Sequence, residues 1–164
     1  FERANVAHMG DLMFNRAHPV IDLVNGGSIK GWIGVLEKVA ADYPADTIYI
    51  FGHAGQGHPV TGDRAHLRYH AGYLRALLDY VQAVARASRE PGRYQAGLSP
   101  RAVIGLLRAA QAWAFLHGHA GVLPEDLQAV LPAVVGHRLR PRDAADARGP
   151  VEIAAALMSS VPIP

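Results

Sequence analysis

The sequence predicts an α/β segment followed by an all-α segment, in a chain of 164 residues. Up to about residue 80, short β-branched and aromatic runs alternate with amphipathic helical patterns, an order typical of α/β folds. After residue 89 only helical patterns remain. The length suits one domain or two small ones, and we expect the chain to divide into segments 1–80 and 81–164.

The first segment predicts two strands, each followed by a helix. Asn5–Met9 is predicted to form a short strand that ends at Gly10. Ser28 is predicted to cap a helix that extends to Tyr43. Residues 47–51, TIYIF, predict a buried strand that stops at glycine and His53. Asp63 is expected to begin the next helix.

The second segment predicts three helices after a linker at residues 90–97. Ser99 and Pro100 form a cap and first-turn pair, and this helix should continue to Leu116. Residues 123–139 predict a helix that Pro132 interrupts or kinks, and residues 150–158 a last short one. Helical spacing places the following residues of the first of these helices in the core: Leu106, Leu107, Ala110, Trp113 and Leu116.

Composition limits the chemistry and the partners. Cysteine is absent, so a metal site would need histidine and carboxylate ligands. The formal charge of +2 gives no indication of nucleic acid binding, and no apolar run approaches the ~20 residues of a membrane span. The chain begins at Phe1 without a signal-peptide pattern, so we expect a truncated or processed piece and a cytoplasmic location.

Asp11 and His53 are the candidate metal ligands by position. Each follows a predicted strand and a glycine, and neighbouring strands would bring both side chains to one edge of the sheet. Carboxylate and imidazole are suitable zinc ligands, although catalytic zinc usually needs three protein ligands. Spacing alone favours the alternative interpretation, a structural turn and a loop histidine.

Residues 5–80 resemble the C-terminal half of a metallo-β-lactamase-fold hydrolase, through VAHMGDLMFNRAHPVID, DTIYIFGHAG and VTGDRAHLRYHAGYLRALLDYV. The resemblance implies a partial αββα fold, with Asp11 and His53 as zinc ligands and His8 as a neighbour of the site. The H-x-H-x-D-H motif of that family is absent. We therefore expect a partial site that binds zinc weakly or not at all.

The other histidines have structural interpretations. His58, His66 and His70 are predicted to be solvated, and His18 to be a turn residue before proline. His117 and His119 form an H-x-H sequence that indicates a helix C-terminus, where a histidine side chain interacts favourably with the helix dipole.

Residues 77–164 resemble the helical lid of MoxR-type AAA+ ATPases, most specifically over YQAGLSPRAVIGLLRAAQAWAFLHGHAGVLPEDLQAVLPAVVGHRL. The resemblance implies that Arg101, in the SPR motif, is the sensor-2 residue that reaches the terminal phosphates of a nucleotide. The G-x-x-x-x-G-K-[ST] loop is absent, so ATP would be a ligand only in a larger assembly. For the isolated chain, the alternative is that Arg101 is an ordinary surface arginine.

Three functions remain open at this stage. The first, which we favour by descent, is a chimeric or truncated chain from a zinc-dependent hydrolase, which is not catalytic alone and would need a complementing N-terminal half. The second is an ATPase lid in an assembly, and the third is a non-catalytic interaction module that self-associates. The two resemblances overlap at Ala76–Ala83, which suggests a junction that is natural, engineered or artefactual.

Overall fold

A computed structural model describes residues 1–19, 26–119 and 121–163. The chain divides into two compact units, unit 1 at Phe1–Ala76 and unit 2 at Leu77–Pro164. No helix within these described residues is long and apolar enough to cross a membrane. Each unit has its own arrangement of secondary structure.

Unit 1 contains a three-stranded sheet in the order β1-β2-β3. A 3₁₀ turn at Glu2–Ala4 precedes β1 (Val6–Asn15), which pairs in parallel with β2 (Ile48–Ala54). The short β3 (Thr61–Gly62) pairs antiparallel with β2. Helix α1 (Ile29–Asp42) lies between the two parallel strands in the chain, and α2 (Arg64–Ala87) follows the sheet and contains the boundary between the units.

The core of unit 1 combines residues of the strands with one face of each helix. Its fully or nearly fully buried members are Met9, Met13, Ile33, Leu36, Ala40, Tyr49, Phe51, Leu67, Ala71 and Leu74. The predicted caps form, because the Ser28 hydroxyl accepts a hydrogen bond from the Gly31 amide at 3.1 Å and Asp63 accepts one from Ala65 at 3.0 Å.

Both predicted strands continue past the glycine at which we expected them to end. β1 extends through Gly10 to Asn15, and its register to β2 shifts on both sides of that glycine. Gly10 has φ +52°, a left-handed conformation that glycine adopts without strain, so the strand bulges instead of stopping. As a result, Asp11 and His53 lie within paired strands and not in loops that follow them.

Besides the C-terminal part of α2, from Leu77 to Ala87, the described residues of unit 2 form three helices: α3 (Pro100–Leu116), α4 (Pro124–Val135) and α5 (Pro150–Ser159). Helix α3 packs on α4, and α4 packs on α5. The Ser99 hydroxyl accepts from the Ala102 amide at 3.2 Å, as the cap pattern predicts. Pro132 lies inside α4, which ends at Val135 and not at the predicted Leu139.

The prediction that Trp113 and Leu116 belong to the core was wrong. Their exposed fractions are 38% and 76%, whereas Leu106 and Ala110 are buried and Leu107 is half-buried. The buried positions of α3 recur every four residues, at Ala102, Leu106, Ala110 and Ala114. This buried stripe is narrower than the one we inferred from spacing, and Trp113 and Leu116 lie outside it.

Candidate functional site

The two predicted metal ligands of unit 1 are in contact. Asp11 Oδ1 lies 2.9 Å from His53 Nε2, across the parallel pair of β1 and β2. Gly52 makes this approach feasible, because a Cβ atom there would lie 2.5 Å from the carbonyl oxygen of Gly10. Both side chains are open to solvent, with exposed fractions of 85% for Asp11 and 51% for His53.

Aromatic packing orients the His53 ring. It stacks on Phe14 with ring centroids 4.3 Å apart and planes inclined by 17°. Phe14 in turn meets the edge of Trp32, whose indole donates a hydrogen bond to the Leu12 carbonyl at 2.8 Å. Helix α1 therefore supports the position of the imidazole through the strand that carries Asp11.

His8, predicted as a neighbour of this site, is exposed on β1. Its Nδ1 accepts a hydrogen bond from the Gly10 amide at 3.2 Å. The ring is thus tied to the backbone of its own strand, just before the bulge that carries Asp11.

The Asp11–His53 pair does not fit a catalytic zinc ion. Such an ion usually takes three protein ligands and keeps one position for water or substrate. Within residues 1–19, 26–119 and 121–163, no group of three or more histidine, aspartate or glutamate side chains is placed to hold a metal. The predicted zinc cofactor is therefore not supported, and the ligand roles of Asp11 and His53 remain predictions.

The prediction that His70 is solvated was wrong. Its side chain is buried, and Nδ1 donates a hydrogen bond to the Phe14 carbonyl at 2.6 Å. Burial lowers the pKa of His70. His66 is half-buried and pairs with Asp63 at 2.8 Å, whereas His58 is exposed as predicted.

His18 is more than a turn residue. Its Nδ1 lies 2.8 Å from the Tyr73 hydroxyl, and the ring is partly buried. Burial, with a smaller contribution from the charge of His70, lowers the pKa of His18 from 6.5 to about 4. Unit 1 thus contains two histidines that favour the neutral form.

Arg101, the predicted sensor residue of unit 2, lies in the first turn of α3 and is exposed. Ser99 caps this turn through both its hydroxyl and its carbonyl, which accepts from the Val103 amide at 3.1 Å. Within the described part of the chain, the guanidinium makes no hydrogen bond or ion pair. A free cation on a rigid helix N-terminus is suited to meeting an anion supplied from outside.

The linker before α3 is fixed by an arginine and a serine. Arg89 donates two hydrogen bonds to the Leu98 carbonyl, at 3.1 and 2.7 Å. The buried Ser88 hydroxyl accepts from the Leu98 amide at 3.0 Å. Because both contacts end one residue before the Ser99 cap, they hold the start of α3 against the end of α2.

Comparison with known proteins identifies one family model and several relatives. Residues 86–157 match the AAA lid domain family. The chain is 38% identical over 73 residues to chaperone MoxR1 of Mycobacterium tuberculosis, a match that covers 39% of this chain and 19% of that protein. It is 33% identical over 91 residues to the uncharacterized protein YeaC of Bacillus subtilis, covering 54% of this chain and 28% of YeaC.

A longer match extends beyond unit 2. Protein MoxR of Paracoccus denitrificans is 30% identical over 139 residues, which covers 73% of this chain and 41% of that protein. Because 73% of the chain exceeds the length of unit 2, this alignment also includes part of unit 1. The chain spans less than half the length of each of these three relatives.

These matches support only one of the two resemblances. They support a MoxR-type lid, and nothing in them supports a metallo-β-lactamase-fold half. Residues 86–157 are similar to the AAA lid domain, and the chain as a whole is similar to the MoxR proteins over part of its length.

Proposed function

We propose that this chain acts as the lid module of a MoxR-type AAA+ ATPase, in a larger assembly that supplies the nucleotide-binding core. The observation that carries the proposal is the position of Arg101, an exposed cation at the start of α3 within the residues that match the AAA lid domain. Arg101 would contact the terminal phosphates of ATP bound to that core.

The local structure suits this role. The Ser99 cap and the anchoring of Leu98 by Arg89 fix the backbone on which Arg101 stands. The side chain has no competing partner among the described residues, so no internal ion pair must break before it meets a phosphate. A guanidinium can form two parallel hydrogen bonds to phosphate oxygens, which are stronger than bonds between neutral groups.

A core must come from outside this sequence. The chain contains no phosphate-binding loop of the G-x-x-x-x-G-K-[ST] kind. A single exposed guanidinium binds an anion only weakly in water, because solvent screens its charge. The same reasoning makes ATP hydrolysis a property of the assembly and not of this chain alone.

Substitution of Arg101 tests the proposal. The full chain is combined with a MoxR-type nucleotide-binding core that lacks its own lid, and the affinity for a fluorescent ATP analogue is measured. Arg101→Ala should weaken the affinity about 10-fold to 100-fold, the loss expected for a hydrogen bond to a charged group. Arg101→Lys should recover only part of it, because lysine cannot form the paired hydrogen bonds.

Arg108 provides the matched control. It is an exposed arginine on the same helix, two turns after Arg101. Arg108→Ala should leave the affinity within about twofold of the parent, since surface substitutions away from a site change free energies by less than about 0.5 kcal/mol. Equal affinities for the Arg101→Ala and Arg108→Ala assemblies would refute the role of Arg101.

A further inference from the structure

The segment that follows α4 is held in an extended conformation against the linker before α3. Tyr94 of the linker and Pro141 of the segment form an antiparallel bridge. Two backbone hydrogen bonds flank this bridge. The Arg140 carbonyl accepts one from the Gln95 amide at 2.9 Å, and the Arg142 amide donates the other to a linker carbonyl at 3.3 Å. Contacts within unit 2 therefore fix the backbone on both sides of the proline.

This extended segment places two arginines on one side. Successive side chains of an extended chain point to opposite sides, so Arg140 and Arg142 share one side. The burial agrees with this alternation, because Leu139 is only 1% exposed whereas both arginines are exposed. At a rise of about 3.3 Å per residue, the Cα atoms of the two arginines lie roughly 6.6 Å apart.

Both guanidinium groups are free to meet an external partner. Among the described residues, the side chains of Arg140 and Arg142 make no hydrogen bond or ion pair. Other arginines around the segment hold structural contacts within unit 2, which are those of Arg138 with the Val134 carbonyl, Arg93 with the Ala156 carbonyl and Arg148 with Asp146. The two arginines of the segment thus differ from their neighbours in having no structural role for their charge.

The acidic residues close in sequence to the two paired stretches already have partners. Asp143 and Glu152 accept hydrogen bonds from backbone amides, at 2.9 and 2.7 Å. Asp146 and Glu90 form ion pairs with other arginines, at 2.5 and 3.3 Å. In the described part of unit 2, the two positive charges of the segment therefore have no fixed counter-charge.

We propose that Arg140 and Arg142 bind an extended acidic segment of a partner protein, with one carboxylate at each arginine. Side chains on one side of an extended peptide recur every two residues, so aspartate or glutamate at alternate positions matches the spacing of the arginines. Each guanidinium can hold a carboxylate through two parallel hydrogen bonds. Pro141 has no amide hydrogen to donate to an added strand, so the side chains provide the recognition.

The number of arginines favours a peptide over a nucleic acid. Proteins gain non-specific affinity for nucleic acid from many phosphate contacts, on the order of six to ten. The formal charge of this chain is only +2. The Cα atoms of Arg140 and Arg142 are closer together than the Debye length of about 8 Å at physiological ionic strength, so both charges act on the same short segment. This inference does not depend on the nucleotide role of Arg101.

Fluorescence anisotropy of labelled peptides, measured with the full chain at low ionic strength, tests the proposal. One probe is a serine peptide with glutamate at alternate positions, and the second has the same length and composition with glutamate at every third position. The first should bind about threefold more tightly, because only its spacing engages both arginines. Arg140→Gln and Arg142→Gln should each weaken binding of the first peptide about threefold, and together about tenfold.

A double substitution of Arg86→Gln and Arg108→Gln is the matched control. Both arginines are exposed and, among the described residues, have no hydrogen bond or ion pair, so the control removes the same charge. It should leave the affinity within about twofold of the parent. Both double variants should keep the parent circular dichroism, because no side chain that they remove holds a contact in the described structure.

Four outcomes would overturn the proposal. They are the absence of peptide binding, equal affinity for the two peptides, no effect of the Arg140 and Arg142 double substitution, and an equal loss in the control. Tighter binding of a single-stranded oligothymidine than of the alternating peptide would also overturn it, because the arginines would then recognise phosphate and not carboxylate.

Discussion

Gly52→Ala should destabilise unit 1 by about 3 kcal/mol, because the new methyl group meets backbone that cannot move aside. A Cβ atom at this position would lie 2.5 Å from the Gly10 oxygen and 2.6 Å from its carbonyl carbon. To relieve that contact, β1 and β2 would have to move apart at the point where Asp11 contacts His53. Urea denaturation followed by circular dichroism measures the free energy of unfolding.

Gly34 offers a control of opposite sign. It lies on the exposed side of α1, and a Cβ atom there would have nothing within 4 Å. Gly34→Ala should stabilise the chain by about 0.5–1 kcal/mol, the difference between the two residues in a helix interior. Destabilisation by Gly52→Ala no larger than about 1 kcal/mol would show that the strands do not approach as closely as the structure has them.

Acid should destabilise unit 1 through His70, which is buried, and His18, which is partly buried. In the unfolded chain His18 takes up a proton near pH 6.5, whereas in the folded chain its pKa is about 4. Between these pH values the unfolded state binds more protons than the folded state. The contribution of His18 to the free energy of unfolding therefore has its full value above pH 6.5 and decreases as the pH falls towards 4. The contribution of His18 is at most about 3.5 kcal/mol, because each unit of pKa difference corresponds to about 1.4 kcal/mol.

His70 adds to this effect in the same direction. Its pKa is lowered by burial, and its Nε2 has no hydrogen-bond partner within the described residues. Protonation would place an unsatisfied N–H in the core, which costs free energy in addition to the burial of charge. The stability lost below pH 6.5 therefore has two sources in one unit.

Denaturation at pH 7.5, 6, 5 and 4.5 measures this dependence. His18→Asn should flatten the decline of stability below pH 6.5, although it also removes the hydrogen bond to Tyr73. His58→Asn, in an exposed loop, should leave the decline unchanged. A parent protein as stable at pH 4.5 as at pH 7.5 would contradict the burial of both rings.

Helix starts were predictable because a few side chains specify them locally. Ser28, Asp63 and Ser99 all accept amide hydrogen bonds where the sequence predicts a cap. These interactions extend over only three residues, so no tertiary information is needed to anticipate them. The convergence of Asp11 and His53 was also predictable, since it follows from two parallel strands lying side by side.

Strand ends and the histidine environments were less predictable. We interpreted Gly10 and Gly52 as ends of strands, but pairing between β1 and β2 continues past both through a bulge. We predicted that His70 is solvated because histidine is polar, although its spacing, three residues after Leu67 and four before Leu74, places it on the apolar face of α2. The contact between His119 and Asp126 depends on the turn between α3 and α4, which periodicity does not specify.

In the proposed function, α3 presents Arg101 to a nucleotide held by another part of an assembly. The most direct test is the rate of hydrogen exchange of the backbone amides of residues 101–103, at the start of α3. We expect an ATP analogue to slow their exchange in the chain bound to a MoxR-type core, and to have no effect on the free chain. Equal exchange with and without the analogue in the bound chain, or protection of the free chain, would contradict the account.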